Sequence, residues 1–279
     1  MRVDVLGVRG STPAPGAPFV RYGGSTSCVA VSIDGGEPTL VLDAGTGLRS
    51  LGRLLPGGAF RGAILLTHLH WDHTHGLPFS PVVDNAEARV DLRLPAQGVD
   101  ALELLSRMMQ PPHFPIRPDE LRGQWEFSSI DEGSHEIGRF QVHAREIPHK
   151  GGRTFGYRVS DGRSALAYLP DHGPFALGPG ENGFGPIHPA ALDLVAGVDL
   201  LLHDAQYTAS EFAAVANYGH STVDYAVALA EKAGVGRLVL FHHDPNRTDD
   251  AEDELLSSMR QRTTVPLDAA HEGDIYELA

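Results

Sequence analysis

A mixed α/β fold is predicted for this 279-residue chain by three observations. Strand-length apolar runs recur from one end to the other, 32 Gly and 20 Pro punctuate them, and two stretches carry apolar residues at helical spacing. In order, RVDVLGV opens as a strand and is followed by a long Gly/Pro-rich loop, GSTPAPGAP. CVAVSI, TLVLDAG and GAILLTH are the next strands, rich in the Val, Ile and Leu that fill buried pleats. DALELLSRMM is the first amphipathic helix. FQVHAREI, TFGYRV, ALAYLPD and DLLLHDA are strands of the second half. STVDYAVALAEKAG is the second helix, with Ser221 placed to cap its start and Gly234 its end. RLVLFHH is the final strand. Two long loops, 110–124 and 173–190, have the length of lids or binding loops as much as of plain connectors. No tandem repeat or low-complexity linker interrupts the pattern, and one unit over 1–279 is expected.

Composition narrows the function classes. With 42% apolar and 21% charged residues the chain is near the globular average, which excludes disorder and fibrous repeats. No apolar run approaches the ~18 residues that a membrane span needs, and MRVDVLGVRG lacks the order of a secretory leader. The formal net charge of −14 argues against generic binding to nucleic acid or anionic membranes, which requires clustered Lys and Arg. A lone Cys28 forms no internal disulfide and fits a reducing, cytoplasmic setting. The 15 His are the conspicuous feature.

Several strands run directly into imidazole or carboxylate: AILLT into His68, ALAYLP into Asp171, LLL into His203 and Asp204, LVLF into His242. Side chains at strand ends converge on one crevice in α/β folds, so these residues are candidates for a single site. The densest cluster is Thr67-His68-Leu69-His70-Trp71-Asp72-His73-Thr74-His75-Gly76. Its alternation lets His68 and His70 project one way and Asp72 and His73 the other, supplying two adjacent sites for divalent ions. His75 is set aside as supporting or structural, His113, His135, His143, His188 and His271 as surface or structural, and His203 as packing or hydrogen-bonding. His172, beside Asp171, is a candidate to face the substrate pocket. Met108, Met109, Phe114 and Trp125 are expected in the core, with a homodimer contact as the alternative.

THLHWDHTHG resembles the metal signature of the metallo-β-lactamase fold, a four-layer αββα sandwich, and the likeness extends over essentially the whole chain. The resemblance implies His149 in EIPHKGGRTFGYRV as the third His of the first site, Asp171 as the bridging carboxylate and His242 as the last ligand. His243 is the competing choice for that last position. Asp43 in TLVLDAGTG matches a position that supports ligand imidazoles, or is a turn-forming Asp. Within the superfamily the chain is most similar to the ribonuclease Z-like phosphodiesterase branch. LLHDAQYT matches that branch's His-Glu-Ala-Thr segment with Asp204 in place of Glu, and Gly219-His220-Ser221-Thr222 matches its His-Ser-Thr segment. Catalytic roles are thereby implied for Asp72, Asp204 and His220.

The resemblance implies a dinuclear-metal hydrolase that uses metal-bound hydroxide, with His220, oriented by Asp204, protonating the leaving oxygen. Zinc is the expected metal from its affinity for imidazole, with Mn or Fe as alternatives. Ribonuclease Z captures its RNA with a basic Gly/Pro-rich arm, whereas residues 110–124 hold only Arg117 and Arg122 as cations. A small phosphodiester such as a cyclic nucleotide is therefore the expected substrate. RNA cleavage, or thioester and lactone hydrolysis on the same metal motif, are the enzymatic alternatives. A diiron redox protein is disfavoured by His70, and a metal-binding sensor by the full ligand set.

Overall fold

The computed structural model describes residues 1–279. Fourteen strands form two seven-stranded sheets. The first sheet contains β1 (Arg2–Gly7), β2 (Cys28–Ser32), β3 (Leu40–Leu42), β4 (Arg61–Leu65), β5 (Arg89–Pro95) and β6 (Gln124–Ile130), with the last strand of the chain added beside β1. The second contains β7 (Gly133–Ile137), β8 (Phe140–Ile147), β9 (Thr154–Ser160), β10 (Ala165–Leu169), β11 (Leu200–Asp204), β12 (Leu238–Phe241) and β13 (Leu267–Ala269). β14 (Ile275–Glu277) returns to the first sheet, so the C-terminus closes the edge that β1 would otherwise expose.

Each sheet is part antiparallel and part parallel, in mirrored fashion. β3 to β6 run parallel in one sheet and β10 to β13 in the other, so the carboxyl ends of both parallel halves supply loops to one shared edge. The period-2 alternation of each strand splits its apolar residues between two cores. Val3, Val5, Val29, Val31, Leu40 and Leu42 face Phe155, Tyr157, Leu166, Tyr168, Leu202 and Phe241 between the sheets. The opposite face of the second sheet packs on α2 (Pro189–Val195), α4 (Val223–Ala233) and α5 (Asp249–Arg260) through Ala167, Leu201, Leu240, Leu194, Ala226 and Met259. The outer face of the first sheet is covered by the 3₁₀ segment Thr46–Leu54 and by α1 (Ala101–Ser106). These are the four layers of an αββα sandwich. A short α3 (Ala209–Val215) follows β11. No helix is long and apolar enough to cross a membrane.

The two sheets are stitched together at the shared edge. His243 N–H donates to Val8 O at 2.9 Å and Gly10 N–H to His243 O at 3.0 Å, joining the end of β12 to the end of β1. Tyr157 Oη donates to Leu66 O at 2.7 Å, and Phe155 N–H to Thr67 O at 2.9 Å. Beneath this seam lies a buried ionic network. Arg9 donates to the carbonyls of Gly23 and Arg247 and to Asp249, while His243 Nδ1 lies 3.1 Å from Glu252.

Helix and loop details differ from the sequence reading in places. The cap of α4 is Thr222, whose Oγ1 accepts from Tyr225 N, while Ser221 Oγ donates to His172 O, one residue outside. Gly234 closes the helix at φ 65°, where a side chain is strained. Met109 is buried, Met108 lies against Thr74, Phe114 packs edge-on to Phe79, and Trp125 stacks on Phe127. In loop 173–190, Phe175 and Phe184 close on Phe212 of α3, so the segment packs against the fold.

Burial would raise the Glu252 carboxyl, but His243 and Arg247 outweigh it and hold the pKa at about 2, against an ordinary 4.5. A carboxyl depressed on folding stabilises the native state above its unfolded pKa, and that contribution drains away as pH falls from about 4.5 to about 2. Glu252→Gln should therefore lose roughly 3–5 kcal/mol at pH 7 by removing the buried carboxylate charge that Arg247 and His243 face. Thermal melts across pH should show the gap to the wild type closing below pH ~4.

Candidate metal centre

The HLHWDH turn leaves β4 and curls into a 3₁₀ segment, Trp71–His73, which turns successive donors to different sides. Two nests result. His68, His70, His149 and Asp171 have donor atoms within 4.8 Å of one another, and Asp72, His73, Asp171 and His242 form a second such group. Asp171 is common to both. One of its oxygens, Oδ2, lies 3.6 Å from His68 Nε2 and 3.4 Å from His149 Nε2, and the other, Oδ1, lies 2.9 Å from His73 Nε2 and 3.2 Å from His242 Nε2. Asp72 Oδ2 is 3.1 Å from His242 Nε2 and 3.3 Å from His73 Nε2. His149 Nε2 lies 3.2 Å from His70 Nδ1.

Which nitrogen each imidazole shows to the nest is settled from behind. His73 Nδ1–H donates to Asp43 Oδ2 at 2.7 Å, His149 Nδ1–H to Gly219 O at 2.6 Å, and His242 Nδ1–H to the Gln206 side-chain oxygen at 3.0 Å. His68 Nδ1 is 3.0 Å from Thr67 Oγ1, whose own hydrogen goes to Asp43. Each ring thus turns its Nε2 inward, the nitrogen a metal ligand would offer. Asp43 sits at φ 59°, accepting also from Thr67 N and Tyr168 Oη, and it holds two of the four rings at once. His242 is likewise left-handed, at φ 60°.

The donor set fits a cation. His68 Nε2, His73 Nε2 and both Asp171 oxygens are buried without hydrogen-bond partners, and they converge on the two nests. Lone pairs gathered this closely repel one another unless positive charge lies between them. Burial alone would raise the Asp171 carboxyl, but His242, His73 and His68 around it outweigh that and hold it well below the ordinary carboxylate range.

Beside the nests, His220 Nδ1 is 3.0 Å from Asp204 Oδ2 and 3.8 Å from Asp171 Oδ2. Burial disfavours charge on His220, yet Asp204, with Asp171 and Asp72 behind it, raises its pKa above the ordinary histidine value. His243, the competitor of His242, points away to Glu252 and Ala270 O. His172 does not face the pocket. It is wholly buried, with Nδ1 3.0 Å from His203 Nε2, because its backbone N–H is drawn to Asp204. His203 in turn bonds the Asp204 carbonyl at 2.7 Å. His75 is exposed and stacks on Trp71. His113 is exposed, and His135, His143, His188 and His271 are half-buried outside the nests.

A cavity of about 440 Å³ opens on this cluster, lined among others by Ser11, Trp71, Tyr207, Tyr218 and His220 and by no Lys or Arg. Gln206, Thr67 and Ser11, whose N–H donates to Asp72 Oδ2 at 2.7 Å, were not evident from the sequence. They are ordinary polar residues in loops, and their work is visible only once the donors are placed.

Residues 39–243 match the family described as β-lactamase superfamily domain. The chain belongs to the β-lactamase superfamily. Among relatives, this superfamily member is 27% identical to ribonuclease Z of Salinibacter ruber, over 81% of this chain and 82% of that one. Its fold is shared with the metallo-β-lactamase fold protein YhfI of Bacillus subtilis, at TM-score 0.72 and 18% identity over 99% of both chains. It is shared also with a diphosphatase of the PhnP family, at TM-score 0.69 and 20% identity over 100% of this chain and 98% of that one. Family and donor cluster together make this superfamily member a metal-dependent hydrolase.

Gly10 lies against His242, and a Cβ there would sit well inside contact distance of its ring nitrogen Nδ1. Gly10→Ala should displace the His242 ring and lower bound metal at the nest it serves, while the far nest and the thermal melt change little. Metal analysis of the purified variant beside a melting curve checks this.

Proposed function

We propose that this chain is a dinuclear-metal phosphodiesterase acting on small phosphodiesters, for which a cyclic nucleotide is a fitting example. The observation that carries the reading is the placement of the His220–Asp204 pair against a double nest that shares Asp171. His68, His70, His149 and Asp171 would hold one ion, and Asp72, His73, Asp171 and His242 the other. Zinc is the metal this imidazole-rich set favours, with Mn and Fe using the same donors. When bound, such ions would lower the pKa of a coordinated water towards ~7 and offset charge on a phosphoryl group.

The protein's own groups then complete the chemistry. Asp204 is fixed by the backbone N–H groups of His172 and Gln206, each at 3.0 Å, and so holds His220 by Nδ1. His220 lines the cavity, and Asp204 on its Nδ1 favours the protonated imidazole that would donate from the opposite nitrogen to a departing alkoxide. Asp72 Oδ2 accepts from Ser11 N–H, which fixes the same oxygen towards His73 and His242.

Support for a small substrate comes from charge. No cation lines the cavity, Arg117 is paired with Asp119, and Arg122 is clamped on Asp84, so residues 110–124 offer no free basic arm for RNA. The likeness to ribonuclease Z keeps an RNA endonuclease as the second reading. A cytoplasmic setting belongs to the same proposal, since the single thiol, Cys28, is wholly buried and needs no oxidised partner.

Turnover of nitrophenyl diester, monoester, thioester, cyclic-nucleotide and RNA substrates at fixed metal content tests the reading. His220→Ala should slow a diester with a poor alkoxide leaving group by about 10²- to 10⁴-fold, and a nitrophenyl diester far less. Equal losses on both would count against the proton-donor role. Asp171→Ala should lower bound metal and activity together, and a variant that still binds two ions tightly would refute the shared-ligand assignment.

A further inference from the structure

Two large aromatic side chains at the mouth of the site have no partner in the fold sufficient to explain them. Trp71 is 67% exposed and Tyr218 59% exposed, and both line the cavity that also holds His70, Asp171 and His220. Neither sits on a free loop. Trp71 lies between His70 and Asp72 in the 3₁₀ turn, and its indole stacks on His75 at 5.6 Å and 17° while most of its surface stays exposed. Tyr218 ends the short turn Ala216–Tyr218, next to Gly219, whose φ of 96° and close approach to His149 and Lys150 leave little freedom. His220 follows directly.

Exposed rings of this size are costly in water, and rings held in register with a site commonly contact its ligand. The cavity lining has no Lys or Arg, so beyond the donor nests it offers π-faces and hydroxyls rather than cationic charge. A substrate with a second phosphate would find no partner there, and a dialkyl diester would leave both rings wet. The complementary substrate carries one diester charge and one flat, neutral, aromatic group. The volume of about 440 Å³ is in the range for a nucleotide-sized molecule.

We infer that Trp71 and Tyr218 form a stacking subsite for the base of a nucleoside phosphodiester. The inference rests on the phosphodiesterase reading and adds the class of group esterified to the phosphate. Stacking uses the π-face that all bases share, so purine and pyrimidine esters are both accepted.

The test compares thymidine 5′-(4-nitrophenyl phosphate) with methyl 4-nitrophenyl phosphate, which share one leaving group and differ in the nucleoside. The wild-type holoenzyme should favour the nucleoside ester in kcat/KM by about 5- to 150-fold, the worth of base–aromatic stacking. In Trp71→Ala and in Tyr218→Ala the ratio should fall towards one, mainly through KM, and Trp71→Phe should restore most of it. Metal content measured on each variant shows that the nests still load. A ratio near one in the wild type, or a ratio unmoved in both alanine variants, would overturn the subsite. A second readout needs no turnover. In a Trp125→Phe background the remaining indole is Trp71, and adenosine 5′-methylphosphate should quench its fluorescence while dimethyl phosphate does not. Quenching without hydrolysis of any diester would sink the phosphodiesterase reading and keep the stacking subsite, whereas hydrolysis of the methyl ester without quenching or nucleoside preference would do the reverse.

Discussion

The centre depends on which nitrogen four histidines are allowed to protonate. His68, His73, His149 and His242 each commit Nδ1 to an oxygen behind them, so Nε2 is the nitrogen each turns to the nests. Asp43 carries half of this burden. It accepts from His73, from both donors of Thr67 and from Tyr168, and its buried carboxylate is fully used in doing so. It adopts φ 59° to get there, and His242 adopts φ 60°; for a non-glycine residue such a backbone costs on the order of 1–3 kcal/mol. Three buried cores of 26, 24 and 19 residues surround the site and supply the stability against which that strain is held.

The same requirement explains why the site lies at the seam. Donors that follow β4 and donors that follow β8, β10 and β12 belong to different sheets, and one carboxylate, Asp171, must face both nests. A relative slide of the sheets by an ångström would separate those donors. The backbone bonds between His243 and the end of β1, together with the buried Arg9 and Glu252 network directly beneath, fix that distance. His242 and His243 thus divide two tasks between neighbouring residues: one faces the nests, and the other ties its strand to the opposite sheet.

Much of this was legible in the sequence, because strands that end in His or Asp announce themselves by composition. FQVHAREI corresponds to β8, and the HLHWDH alternation anticipates the division of its donors between two nests. What could not be read falls into physical classes. β6 and β7 are edge strands with few apolar residues, β13 and β14 are three residues long, and the polar α5 shows its period only against a sheet. β5 alternates plainly as RVDLRLP but carries charge at every second position, which masks its apolar face. The choice between His242 and His243 had no local signal, since both follow the same strand and only the partner across space separates them. Ser221 and Thr222 are equally good caps by type, and Ser221 is instead engaged by a carbonyl three elements away. Trp71 and Tyr218 read as ordinary aromatics until their exposure is known.

Asp204 stands where the ribonuclease Z-like branch has Glu, one methylene longer, and the question is how the shorter side chain still meets His220. The answer lies in the backbone. Asp204 ends β11 and Asp171 follows the neighbouring parallel β10, so the chain after Asp171 passes directly over the Asp204 carboxylate and His172 N–H donates to it at 3.0 Å. Ser221 Oγ then donates to the carbonyl of the same His172, drawing the residue after His220 inwards. The His220 ring therefore comes to the carboxylate, reaching 3.0 Å without the extra methylene. The buried His172–His203 pair, orphaned from the pocket, is the packing that makes this approach unavoidable, since His203 Nδ1–H is anchored on the Asp204 carbonyl itself.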